Sequence, residues 1–164
     1  MISILYPNGD YESADIAIKA QSLSQSSKIY IVPKHYGRNE EAVYKNLDKT
    51  KIAIFIVYDK VPIDDKTQKE LKYLKKKGTP IYSIIPADKH FGLINDVSTV
   101  QLKYRPNDKN HILDQIENIR KELEKDANSA IKSSNNEIIG AITIFILVII
   151  LIAIIGTSQK KKYA

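Results

Sequence analysis

Residues Ile138–Gly156 form a run of 19 in which Thr143 is the only polar side chain, and Thr157-Ser158-Gln159-Lys160-Lys161-Lys162-Tyr163-Ala164 follow at once. A helix rises about 1.5 Å per residue, so this run approaches the roughly 30 Å hydrocarbon thickness of a bilayer. A helix buried in a protein core is seldom apolar on every face and then closed by lysines. The run therefore predicts one membrane span, residues 138–157, and a short basic tail, 158–164. All other structure must come from the 137 residues before it, a length suited to one domain with its own core.

Those residues alternate between short apolar runs and amphipathic stretches. Ile2–Tyr6, Lys28–Pro33, Ile52–Tyr58, Pro80–Ile85 and Val100–Tyr104 are rich in Ile, Val and Tyr and read as strands. The run Ile52-Ala53-Ile54-Phe55-Ile56-Val57-Tyr58 is apolar throughout, as a central strand covered on both faces requires. Between the strands, Tyr11 to about Leu23 carries Ala14, Ile16, Ala17, Ile18, Ala20 and Leu23 as an apolar side, and Asn39 to Leu47 carries Ala42, Val43 and Leu47. A third helix has Asp64 or Asp65 as N-cap, Leu71 and Leu74 on one face, Lys75–Lys77 at its end, then Gly78 and Pro80 as stops. Ala87–Asp96 is a short fourth crossover, and a last helix beginning near Asn107 or Asp108 carries Ile112, Leu113, Ile116, Ile119 and Leu123.

Five such βα units predict an α/β fold: a single doubly wound, mostly parallel five-stranded sheet over residues 1–125, plus one C-terminal transmembrane helix. Residues 126–137 lose the apolar stripe, become rich in Ser and Asn, and read as a flexible polar tether.

Met1–Pro7 has no basic n-region and meets Pro7 too early for a signal peptide, so the α/β domain is expected to stay on the side of synthesis. The expectation is thus a single-pass, tail-anchored membrane protein with a cytoplasmic domain. Lys160–Lys162 beyond the span, against Lys132 alone within ten residues before it, argue for the reverse orientation. With no cysteine, disulfides and thiolate chemistry are excluded. Before Ile138 there are 22 Lys and Arg against 19 Asp and Glu, only +3, and no basic run is interleaved with aromatics. Nucleic acid is therefore not an expected partner.

In an open α/β sheet, ligands bind beyond the carboxyl ends of the strands. Those ends carry Pro7-Asn8-Gly9-Asp10, Lys34-His35-Tyr36-Gly37-Arg38 and Asp59-Lys60-Val61-Pro62. Neither GxGxxG nor GxxxxGK[ST] occurs, and Asn8-Gly9 reads as a turn. His35, His90 and His111 have no metal-ligand spacing, so no metal site is expected, and no serine lies in a nucleophile elbow. Carboxylates remain: Asp10 and Asp59 at strand ends, and Glu70 in the early part of the third helix. A Glu there can stabilise a ribosyl oxocarbenium ion or hold ribose hydroxyls. It can equally be a solvated helix residue paired with Lys66 at i−4. Asp10, His35, Tyr36, Arg38 and Asp59 are the residues expected to line a pocket with it.

Ile2-Ser3-Ile4-Leu5-Tyr6-Pro7-Asn8-Gly9-Asp10 resembles the opening of TIR-like domains, with Leu5 where Ser is usual. The stretch Ala42–Val57 looks like that family's second helix entering its central strand. Thr67-Gln68-Lys69-Glu70-Leu71, followed by Pro80–Pro86, is similar to its Glu-Leu helix and the strand that ends in Pro; Lys66 and Thr67 replace the aromatic or small residues usual before the Glu. The resemblance covers residues 1–125. It implies a flavodoxin-like fold related to the nucleoside deoxyribosyltransferases, signalling or defence by self-association, and a catalytic role for Glu70. That role would be cleavage of the N-glycosidic bond of NAD or a related nucleotide, with NAD as substrate and no cofactor. The alternative is a non-catalytic membrane-tethered scaffold or nucleotide-binding module. A lesser resemblance is to response-regulator receivers, through Asp10, Asp59, Ser83 and Lys103.

Overall fold

The computed structural model describes residues 1–23, 28–58, 61–105 and Val148. Strands β1 (Ile2–Leu5), β2 (Ile29–Ile31), β3 (Ile52–Ile56), β4 (Ile81–Pro86) and β5 (Val100–Tyr104) alternate with helices α1 (Tyr11–Leu23), α2 (Glu40–Asp48), α3 (Asp65–Lys76) and α4 (Gly92–Val97). All neighbouring strands are parallel, in the order β2-β1-β3-β4-β5. The expected α/β sheet is thus present. The expected helix from Asn107, the tether, the span and the tail lie outside the described residues, save for Val148. Among the described residues no helix is long and apolar enough to cross a membrane.

Strand side chains alternate between two cores. Ile2, Ile4, Ile52, Ile54, Ile56, Tyr82, Ile84, Leu102 and Tyr104 join Ile16, Ala17 and Ala20 of α1 on one face. Leu5, Ala53, Phe55, Val57, Ile81 and Ile85 join Val43, Leu47, Leu71, Leu74, Ile94 and Val97 of α2, α3 and α4 on the other. Both faces of β3 are therefore buried, which is why that strand reads as an unbroken apolar run.

The α1 stripe differs from expectation. Ser13, Ile16, Ala17 and Ala20 face the sheet, whereas Ile18 and Leu23 are more than half exposed. Positions i, i+3, i+4 and i+7 share one side of a helix, and Ile18 stands about 100° beyond it. Ser13 occupies the apolar stripe because its hydroxyl donates to Asp10 at 2.7 Å.

Capping sets the limits of α2 and α3. Asn39 accepts from the Ala42 N–H at 3.0 Å, and Asp64 accepts from the Thr67 N–H at 3.0 Å. α3 stops where Gly78 takes φ +74°, a conformation a side chain resists, with the Thr79 N–H reaching the Leu74 carbonyl at 3.0 Å. Lys77 then donates to the Leu47 carbonyl at 2.9 Å and to that of Asp48, so part of the basic run caps the C-terminus of α2. The fourth crossover, expected to be short, holds a helix of 6 residues. α4 begins at Gly92, and its N-cap Phe91 offers no side-chain acceptor.

Candidate functional site, an ion-pair cluster at the strand ends

Thr67, Glu70, Leu71 and Leu74 form the buried stripe of α3 at i, i+3, i+4 and i+7. An ionised carboxylate at such a position needs partners, because taking it from water costs several kcal/mol even after relaxation. Glu70, fully buried, has two cations. Its Oε2 accepts from Lys34 Nζ at 2.7 Å and its Oε1 accepts from Arg38 Nη2. Both cations come from the loop between β2 and α2, and their side chains are only 7% and 2% exposed. Glu70 is therefore not the solvated partner of Lys66. Lys66 instead reaches Glu40, at 2.6 Å.

Each partner is itself held. Arg38 donates through Nη1 to the Pro33 carbonyl at 2.6 Å, and its Nε and Nη2 grip Glu40 at 3.2 and 2.9 Å. Lys34 also donates to the Thr67 hydroxyl at 2.7 Å. That hydroxyl donates to Asp64 at 2.7 Å, and Asp64 accepts the Asn8 N–H at 2.8 Å. The cluster thus ties together the loop after β1, the loop after β2 and the start of α3. Its three cations, Lys34, Arg38 and Lys66, balance Glu40, Asp64 and Glu70.

Burial lowers the pKa of Lys34, against the opposing pull of Glu70. Hydrogen bonds from Arg38 and Lys66 bring Glu40 down to about 2. A carboxylate with a depressed folded pKa contributes stability that is complete above its unfolded value, near 4.5, and is lost as pH falls through the folded one. Wild type and Glu40→Gln should therefore differ in unfolding midpoint at pH 6, and the difference should fade between about pH 4.5 and 2. As the Glu40 side chain is 44% exposed, salt should shrink the difference at every pH. Urea titrations at several pH values and two ionic strengths check this.

The other expected residues fall in three places. Asp10 is buried at the N-terminus of α1, accepting the Ser13 N–H at 2.9 Å and the Tyr58 N–H at 2.8 Å. It thereby joins the ends of β1 and β3, where this strand order changes direction. Its turn is closed by the Asp10 N–H bonding the Pro7 carbonyl at 3.2 Å, with Gly9 at φ +89°, so Asn8-Gly9 is the turn expected. His35 and Tyr36 are exposed, Tyr36 completely, at the tip of the β2–α2 loop. Asp59 lies outside the described residues.

Of the expected set, Arg38 and Glu70 are in direct contact. Lys34, Glu40, Asp64, Lys66 and Thr67, which complete the cluster, were not among the expected pocket residues. The i, i+3, i+4, i+7 spacing of Thr67, Glu70, Leu71 and Leu74 is the signal that places Glu70 on the core face and so demands a buried cation.

Ser83 faces Phe55 within the sheet and bonds the Ser98 hydroxyl, so it is not the hydroxyl presented beyond β4 that a receiver uses. Among the described residues no group of three or more His, Cys, Asp or Glu could hold a metal ion. No family model, curated protein or solved structure matches the chain.

Proposed function

We propose that this chain is a membrane-tethered, TIR-like signalling module that acts by binding, with the β2–α2 loop as its recognition element and Glu70 as the clamp beneath that loop. The observation that carries the reading is the pairing of both Glu70 oxygens with buried Lys34 and Arg38. A carboxylate that stabilises an oxocarbenium carbon must present an open face to it. This one presents none. The same ion pairs fix the base of a loop whose tip offers the fully exposed Tyr36 beside His35. A tyrosine on a constrained backbone gives contact area at low entropic cost, the kind of residue that dominates protein interfaces. The parallel five-stranded sheet is compatible with the TIR-like resemblance. The apolar run Ile138–Gly156 supplies the anchor, with the α/β domain on the cytoplasmic side, where anchoring raises the local concentration for self-association.

One observation favours a second reading. Glu70 faces the strand-end loops rather than solvent, so a nucleotide that drew Lys34 and Arg38 away would uncover it. In that case Glu70 would assist cleavage of the N-glycosidic bond of NAD. The full chain, reconstituted at high density on vesicles and incubated with NAD, separates the two. The binding reading expects no nicotinamide release from wild type. Release that Glu70→Gln abolishes while the far-ultraviolet dichroism is unchanged would overturn it in favour of hydrolysis.

A further inference from the structure

One helix carries the whole charge excess of the chain before Ile138. α3 holds five lysines against Asp65 and Glu70, a net +3. The 137 residues before Ile138 carry +3 in all, so the rest of them are neutral together. Lys69, Lys72 and Lys76 recur at i, i+3 and i+7 on the side of α3 opposite its buried stripe, with Lys75 on their flank, and all four are exposed. Lys66 and Lys77 have partners, in Glu40 and in the carbonyls that end α2. Among the described residues the other four meet no acidic group.

That arrangement works against the helix. Like charges three and four residues apart repel, as Lys69 with Lys72, and Lys72 with Lys75 and Lys76, must do, whereas α1 sets Lys19 against Asp15 at i, i+4. The C-terminal dipole favours Lys75 and Lys76 in the last turn, but its reach ends before Lys69 and Lys72. An anionic surface outside the chain turns this repulsion into attraction. We propose that the outward face of α3 lies on the anionic headgroups of the membrane, an electrostatic contact additional to the hydrophobic anchor. The proposal rests on the membrane-tethered reading only for bringing a bilayer within reach. The outward line of Asp65, Lys69, Lys72 and Lys76 has no aromatic on which a base could stack and no apolar side chain to fill a protein pocket, so it suits a flat surface read by charge alone. Because α1 and α3 cover opposite faces of the sheet, lipid against α3 turns α1 away from the bilayer.

The test mixes the full chain with vesicles of phosphatidylcholine alone or with about 30 mol % phosphatidylserine, and reads lysine acetylation by mass spectrometry. Lys69, Lys72, Lys75 and Lys76 should react at least about threefold more slowly on the anionic vesicles, while Lys19 on α1 reacts alike on both, and salt at about 0.5 M should abolish the protection. In the triple variant Lys69→Gln, Lys72→Gln, Lys76→Gln, which changes exposed side chains only, Lys75 should lose its protection. Equal labelling of α3 on the two vesicles, or protection that the triple variant keeps, would overturn the proposal. Flotation on the neutral vesicles tests the anchor separately. A chain that floats only with phosphatidylserine, with α3 protected, keeps the contact and removes the anchor. One that floats on both without protection keeps the anchor and removes the contact, and one that floats on neither removes both.

Discussion

Glu70→Ala is expected to destabilise the fold by about 3–5 kcal/mol, the cost of removing one partner from a buried ion pair and leaving the other charge uncompensated. Lys34 is the residue that suffers most. Arg38 keeps Glu40 and the Pro33 carbonyl, but Lys34 keeps only the Thr67 hydroxyl among the hydrogen bonds described above. Burial already opposes the charged form of Lys34, so without Glu70 it is driven further toward the neutral amine. Glu70→Gln retains shape and one acceptor oxygen and should cost less, about 1–3 kcal/mol. Equilibrium urea unfolding of the three proteins measures the order wild type, Gln variant, Ala variant. The consequence for enzymology is direct. Loss of any activity in Glu70→Ala would report the loss of a folded loop as readily as the loss of a catalytic group, so only the glutamine variant, checked for structure, can bear on catalysis.

Phe55→Ala should have an effect of similar size for a different reason. Phe55 lies in the middle of β3, fully buried, with Leu5 and Ser83 beside it on the neighbouring strands. It projects into the core built by Val43 and Leu47 of α2 and Leu71 and Leu74 of α3. Deleting the ring removes its transfer free energy and leaves a cavity that a sheet covered on both faces cannot readily close, a loss of about 3–5 kcal/mol. Phe55→Leu, which refills much of that volume, should lose no more than about 1.5 kcal/mol. Both are read as shifts in the urea midpoint at unchanged slope.

Much of the architecture was legible because local signals agreed with one another. The unbroken apolar stretch at β3, the Asp64 cap and the Gly78 stop each state a local requirement that the fold meets. The errors fall where a local pattern had two solutions. Ile18 and Leu23 read as core because they are apolar, but the stripe that includes Ser13 faces the sheet, and Ser13 is accommodated by a hydrogen bond to Asp10 that depends on tertiary position. The site was legible only in part. Strand-end logic pointed to Asp10, Arg38 and Glu70, yet it could not reveal that Asp10 caps the amides of Ser13 and Tyr58. Nor could it show that Lys34, 36 positions from Glu70 in the chain, closes the carboxylate. Pairings between distant segments depend on how the loops come together, which periodicity does not encode.

The claim at the centre of this account is that Glu70 serves as a clamp through its buried cations, and a double-mutant cycle on Lys34 and Glu70 tests it most directly. Lys34→Met, Glu70→Leu and the double variant are compared with wild type by urea unfolding. The account predicts that each single change is costly and that the double variant loses at least about 2 kcal/mol less than the sum of the two, since removing both charges together strands neither. Losses that add to within about 0.5 kcal/mol would contradict it, for the two charges would then not be coupled in the folded protein.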